Sequence, residues 1–257
     1  MAETKLYVIL GSHACRTGML LLEHKGIDYR PVVLPTGVHP FALRAAGFAG
    51  NRERVRSLDA GGSRPPMLAT ADRMGTVPAL CIDGQRVKTN RAISRFLDSH
   101  QPDPPLFPAA PGLRAAVEEA ERWGDEELQM VARRLALAAA LHGPDALSQR
   151  AGDGRLGPLL FHSTTVRRAG VEFIRRFVFA ADADAERDLR AALPAMLDRI
   201  DSWIDDGVLG AEQLNAADYM VAPSLALLWY VTDLRPELSG RPLMGLLDRL
   251  LPEPAVA

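Results

Sequence analysis

The sequence predicts a small α/β domain followed by an all-α domain, and three stretches predict it. Near the start, an apolar run, a helical segment and a second apolar run follow one another. In the middle, a Val-Pro pair leads into two short strands joined by Asp-Gly, with a helix after them. Beyond these, a proline-rich segment opens a long tract of Ala, Leu, Glu and Arg. The order β-α-β then β-β-α builds one sheet with helices packed on it.

Lys5 to Leu10 is a near-continuous run of apolar, β-branched and aromatic residues. It reads as a buried strand of a parallel or mixed sheet. Gly11 to Ala14 reads as a loop, and Cys15 to Lys25 as a helix stopped by Gly26. Ile27 to Leu34 gives the second strand. Pro40 to Ala46 has room for a helical turn or two. The stretch of about 51–73 reads as an insertion, with a short helix near Arg52 to Leu58. It is either a surface excursion or a flap over a cleft.

Val77 is biased to extended backbone by the proline that follows it. Ala79 to Ile82 is a short apolar strand, Asp83-Gly84 a two-residue hairpin turn, and Gln85 to Lys88 the return strand. Asn90 is placed to cap a helix whose apolar side is Ile93, Phe96 and Leu97. A proline at a strand start has no N–H for the ladder, which leaves the backbone ahead of it for another use.

Pro102, Pro104, Pro105, Pro108 and Pro111 make 101–111 a proline-rich linker. The α/β domain then covers 1–100 and the all-α domain 112–257. Leu113 to Leu141 reads as one long helix interrupted by a single glycine, Gly124. A break follows over Gly143 to Gly157, then helices over Leu159 to Ala180 and Glu186 to Ile204. Asn215 and Asp218 have the spacing of a capping box, with Leu214 and Tyr219 as its staple. The run they open, Leu214 to Asp233, is apolar nearly all round, as a central helix is. Pro223 within it predicts a kink or a lost hydrogen bond. Pro236 to Leu251 reads as a last short helix.

Composition narrows the function. The 257 residues are 47% hydrophobic and 24% charged, which is ordinary for a globular chain with a core. The net charge of -2 leaves no basic footprint for nucleic acid. No apolar stretch is long enough to span a membrane. Two cysteines, Cys15 and Cys81, make no disulfide framework. The first residues lead directly into a strand with no apolar signal segment, so a cytoplasmic location is expected. His24, His39, His100, His142 and His162 are scattered without metal-ligand spacing, and no metal is expected.

Val77-Pro78, Asp83-Gly84, Arg91-Ala92-Ile93 and the Asn215–Asp218 box resemble the glutathione transferase superfamily in order and separation. The resemblance implies a thioredoxin-like domain with a cis proline at Pro78, then an all-α domain. It implies a transferase that adds glutathione, or another low-molecular-weight thiol, to an apolar electrophile, or uses the thiol to reduce it. It also implies a homodimer. The second class of function open to this fold is a non-catalytic binding or regulatory protein that has lost the glutathione site.

The resemblance places the thiol along Val77, Pro78, Thr89, Asn90 and the Ser12-His13 loop. Thr89-Asn90 stands where the family has Glu-Ser, so no carboxylate is offered there to the γ-glutamyl ammonium. Asn90 retains the capacity to donate to a carboxylate at a helix start. Ser12 falls on the family's catalytic serine, and Cys15 three residues on. His13 stands where proline is usual. Three readings stay open. Ser12 donates a hydrogen bond to the bound thiolate; Cys15 is itself a thiolate favoured by the helix dipole and Arg16; or Ser12 is a loop residue and Cys15 apolar filler.

Overall fold

The computed structural model describes residues 3–35, 37–50, 75–142, 146 and 183–252. The insertion, the short helix near Arg52, the Gly143–Gly157 break apart from Ala146, and the Leu159–Ala180 helix lie outside these residues. The architecture is a thioredoxin-like sheet-and-helix half followed by a helical half.

In chain order the first half runs β1 (Lys5–Val8), α1 (His13–His24), β2 (Arg30–Val33), α2 (His39–Ala45), β3 (Ala79–Ile82), β4 (Gln85–Lys88) and α3 (Asn90–His100). The strands form one sheet in the order β2-β1-β3-β4. β1 is parallel to β2 and antiparallel to β3, with Tyr7 opposite both Val32 and Ala79. β2 is an edge strand, which is why Pro31 is tolerated inside it. It is shorter than the run Ile27 to Leu34 suggests. Gly26, at φ 61°, closes α1, and the Ile27 N–H returns to the Leu22 carbonyl at 3.0 Å. That helix-ending motif takes up the residues ahead of the strand.

The helical half runs α4 (Pro111–Trp123), a π turn (Gly124–Leu128), α5 (Gln129–His142), α6 (Ala183–Asp205), α7 (Ala216–Trp229), a 3-10 turn (Thr232–Leu234), α8 (Arg235–Leu238) and α9 (Leu243–Leu250). The long helix expected over Leu113 to Leu141 is present without a break in helical backbone, with the π turn inside it beginning at Gly124. A Cβ on Gly124 would lie 2.9 Å from Met220 Cγ and 3.3 Å from Val221 Cγ2 of α7. The glycine is there to let α7 approach, and the wide turn follows it. The final helix expected over Pro236 to Leu251 is divided, into α8 and α9.

α7 is the centre. Every residue from Ala216 to Leu228 is buried. It packs against α1 of the first half and against α4, α5 and α9 of the second. Its start carries the expected capping box. Asn215 Oδ1 accepts from the Ala217 N–H, and Asp218 accepts from the Asn215 N–H at 2.8 Å and the Gly210 N–H at 2.7 Å. Burial raises the Asp218 pKa to about 6, against the pull of those two N–H groups. α7 continues through Pro223, which supplies no N–H to the Tyr219 carbonyl.

The linker is fixed by one lysine. Lys25, only 1% exposed, donates from Nζ to the carbonyls of Gln101 (2.7 Å), Pro102 (3.4 Å) and Pro104 (2.5 Å) and pairs with Asp98 at 3.5 Å. A buried cation needs such a full set of acceptors. No described helix is long and apolar enough to cross a membrane.

Asp218→Ala would leave two buried N–H groups unpaired at the start of the central helix. The expected loss is about 2–4 kcal/mol by urea unfolding. A loss below about 0.5 kcal/mol would mean the box does not organise the helix.

Candidate functional site

The site is built where β1 ends. Ser12 follows the strand, is partly exposed, and caps α1: its Oγ accepts from the Cys15 N–H at 3.3 Å. α1 therefore starts at His13, two residues ahead of the predicted Cys15, because the cap takes His13 and Ala14 into the first turn. The same side chain also hydrogen-bonds the Cys15 thiol, as a hydroxyl that accepts in the cap still carries a proton to donate. The N-terminus of this 12-residue helix adds a positive dipole end.

The Val77-Pro78 bond is cis, and sheet pairing begins at Ala79, so the Val77 backbone stands outside the ladder. Since β3 pairs with β1 through Tyr7 and Ala79, Val77 lies at the same end of the sheet as Ser12. Pro78 rests on α1 at Gly18, where a Cβ would come within 3.2 Å of Pro78 Cβ.

At the start of α3 the cap is Thr89, not Asn90 as expected. Thr89 Oγ1 accepts from the Ala92 N–H at 3.4 Å. Thr89 has φ 71° and ψ 144°, a region β-branched residues rarely enter. Such backbone is held only where the surroundings fix it, and it gathers at ligand sites. Asn90 turns inward: it is 3% exposed, and its Nδ2 donates to the Ala14 carbonyl at 3.0 Å. The amide expected to serve a ligand carboxylate is thus spent on α1, while Oδ1 is buried with no hydrogen-bond partner among the described residues.

Cys15 is 1% exposed. Burial raises its pKa to about 11, although the Ser12 side chain and the Ile9 backbone pull it down. At neutral pH it is a buried thiol, which corrects the thiolate reading: desolvation outweighs the helix dipole and Arg16. His13 is also buried rather than set along a ligand. Its Nε2 meets the Gln129 carbonyl of α5 at 3.2 Å, across the two halves. Burial, with Arg133 nearby, lowers its pKa well below the usual histidine value.

Around this turn the helical half supplies charge. Arg91 Nη1 donates to Glu126 at 3.1 Å. Glu121, fully buried, accepts from Ser94 Oγ at 2.6 Å and pairs with Arg95. Asp125, on the π turn, keeps part of its solvent contact, yet the surrounding protein raises its pKa to about 6 against the pull of Arg91. Burial is the main cause; of the nearby charges, Glu121 and Glu126 add to the rise, and Arg91 of α3 and Arg133 of α5 oppose it. No group of three or more His, Cys, Asp or Glu that could hold a metal ion occurs among the described residues.

Residues 6–105 match the family model described as glutathione S-transferase, N-terminal domain. That segment, the thioredoxin-like half, carries the sequence pattern of a glutathione S-transferase N-terminal domain. The helical half shares the fold of solved glutathione S-transferases. A glutathione S-transferase of Ceriporiopsis subvermispora in complex with glutathione is 16% identical, with a TM-score of 0.61 over 97% of this chain and 95% of that one. A glutathione S-transferase from Rhodospirillum rubrum F11 is 20% identical, with a TM-score of 0.57 over 98% and 93%. A GST-like protein from Pseudomonas syringae is 18% identical, with a TM-score of 0.57 over 98% and 67%. No curated protein matches the chain by sequence.

Thr89→Gly is expected to stabilise the fold by about 1 kcal/mol, because glycine enters positive φ without strain. Urea unfolding reads the change, and a destabilised variant would show that the side-chain cap outweighs the strain. A thiol reagent at pH 7 is expected to label Cys81, which is half-buried, and to leave Cys15 unlabelled until the protein unfolds. Peptide mapping separates the two.

Proposed function

We propose that the protein is a glutathione transferase-like enzyme in which the Ser12 hydroxyl holds the sulfur of bound glutathione as thiolate. The observation that carries this reading is Ser12 itself: a partly exposed hydroxyl at the N-terminus of α1 and at the same end of the sheet as Val77. A donor and a helix dipole aimed at one sulfur lower its pKa. The thiolate attacks an electrophilic carbon, a carbon–sulfur bond forms, the leaving group departs with the electron pair, and the thiol proton goes to solvent. Glutathione bound to a solved structural relative supports the choice of thiol. The electrophile, in this reading, is an apolar molecule held between the two halves. The same reading makes the protein a cytoplasmic homodimer, on the resemblance of the chain to the glutathione transferase superfamily.

A second reading is favoured by Thr89-Asn90. With no carboxylate at Thr89 and the Asn90 amide nitrogen bonded to Ala14, the γ-glutamyl end loses two partners. A non-catalytic binding protein on this fold would show that pattern.

Calorimetric titration separates the two. Glutathione should bind wild-type protein with a Kd between about 1 μM and 1 mM, or roughly -8 to -4 kcal/mol. Ser12→Ala should keep binding within about threefold while kcat with an activated aryl halide falls about 100-fold or more. Absence of binding at high millimolar glutathione would remove the enzyme reading and leave the binding protein.

A further inference from the structure

We infer that His13 is a positioning residue that fixes the catalytic turn by tying it to the helical half. The inference rests on the glutathione reading of Ser12. The first turn of α1 is held from two sides at consecutive residues. On one side Asn90 Nδ2 of α3 donates to the Ala14 carbonyl at 3.0 Å. On the other the His13 imidazole reaches Gln129 of α5, 116 residues away in the chain. Ser12 is the residue immediately ahead of both ties.

The chemistry of the second tie is one-directional. A carbonyl only accepts, so His13 Nε2 carries the proton and donates. The Gln129 carbonyl has two lone pairs and can take this bond beside its helical one. Gln129 stands where the π turn ends: its own N–H returns to the Gly124 carbonyl, five residues back. Gly124 in turn is seated against Met220 and Val221 of α7. The tie therefore connects Ser12 through His13, the π turn and Gly124 to α7, which is buried from Ala216 to Leu228. The ring is 3% exposed, so water does not compete for its bond. Arg133 lies close enough to act on the ring, and burial and this cation both favour the neutral imidazole. An uncharged donor can be buried here without a counter-ion.

A proline would stiffen this backbone position but could not cross to the other half. His13 does cross, and the orientation of the Ser12 hydroxyl then depends on how the helical half is seated. A hydroxyl that must point at one sulfur is sensitive to small displacements of its backbone.

Three variants test this, because glutamine carries an N–H donor near the Nε2 position, asparagine carries one that falls short, and alanine carries none. The readouts are the apparent pKa of the bound glutathione thiol, from the ultraviolet absorbance of the thiolate against pH, and kcat and KM with an activated aryl halide. His13→Asn and His13→Ala should raise the thiol pKa by about one unit and lower kcat about tenfold, with the glutathione Kd within about threefold of wild type. His13→Gln should restore both. If His13→Ala does not fold, the comparison of Asn with Gln carries the test. Wild-type thiol pKa and kcat in the Asn variant would overturn the inference, as would failure of Gln to rescue. A wild-type protein that binds no glutathione would overturn the glutathione reading, and this inference with it.

Discussion

The burial of α7 is the constraint on which the rest depends. A helix covered on every side needs apolar partners from all directions, and no single half of this chain provides them. α1 covers it from the thioredoxin-like half, and α4, α5 and α9 cover it from the other. The two halves are thereby parts of one core. The polar groups at the start of α7 are buried as well, so each must be paired, and Asn215 and Asp218 pair them. Gly124 and the π turn are the local cost of bringing α4 and α5 close enough.

The same packing accounts for the location of the candidate site. α1 packs on α7, while its N-terminus stays at the end of the sheet where β1 gives way to Ser12. The cis Val77-Pro78 turn reaches the same end because β3 pairs beside β1, and Gly18 admits Pro78 to the helix surface. The interdomain bonds gather on the faces of α1 and α3 that meet the helical half. His13 meets Gln129, and Ser94 and Arg95 meet Glu121. Further along α1, His24 Nδ1 shares a 2.8 Å bond with the Tyr219 hydroxyl of α7. A site assembled in this way is as rigid as the interface behind it.

Charge follows from position rather than from residue type. Cys15 and Ser12 are three residues apart in one turn, yet the thiol is driven away from ionisation by burial while the hydroxyl stays in reach of solvent. Asp125 and Glu126 are neighbours in sequence. Glu126 is paired with Arg91 and Arg122. Asp125 has no such bond among the described residues, and burial raises its pKa to about 6. Desolvation acts over a whole environment, and a partner acts only at contact.

The sequence by itself determined the elements whose signals are local. The hairpin Ala79 to Lys88 with its Asp83-Gly84 turn lies where turn chemistry puts it. So does the capping box at Asn215, and the cis proline has the isomer that the resemblance implied. Each depends on residues within a few positions of one another. Only the tertiary structure decided the rest. Thr89 displaced Asn90 as the cap because Asn90 was drawn to Ala14, 76 residues earlier. The Leu113–Leu141 helix took up a π turn at Gly124, where α7 comes within contact. Burial raised the Cys15 pKa and lowered that of His13, and burial is a sum over residues from both halves. A sequence window records propensity and spacing; desolvation and close approach exist only once distant segments have packed.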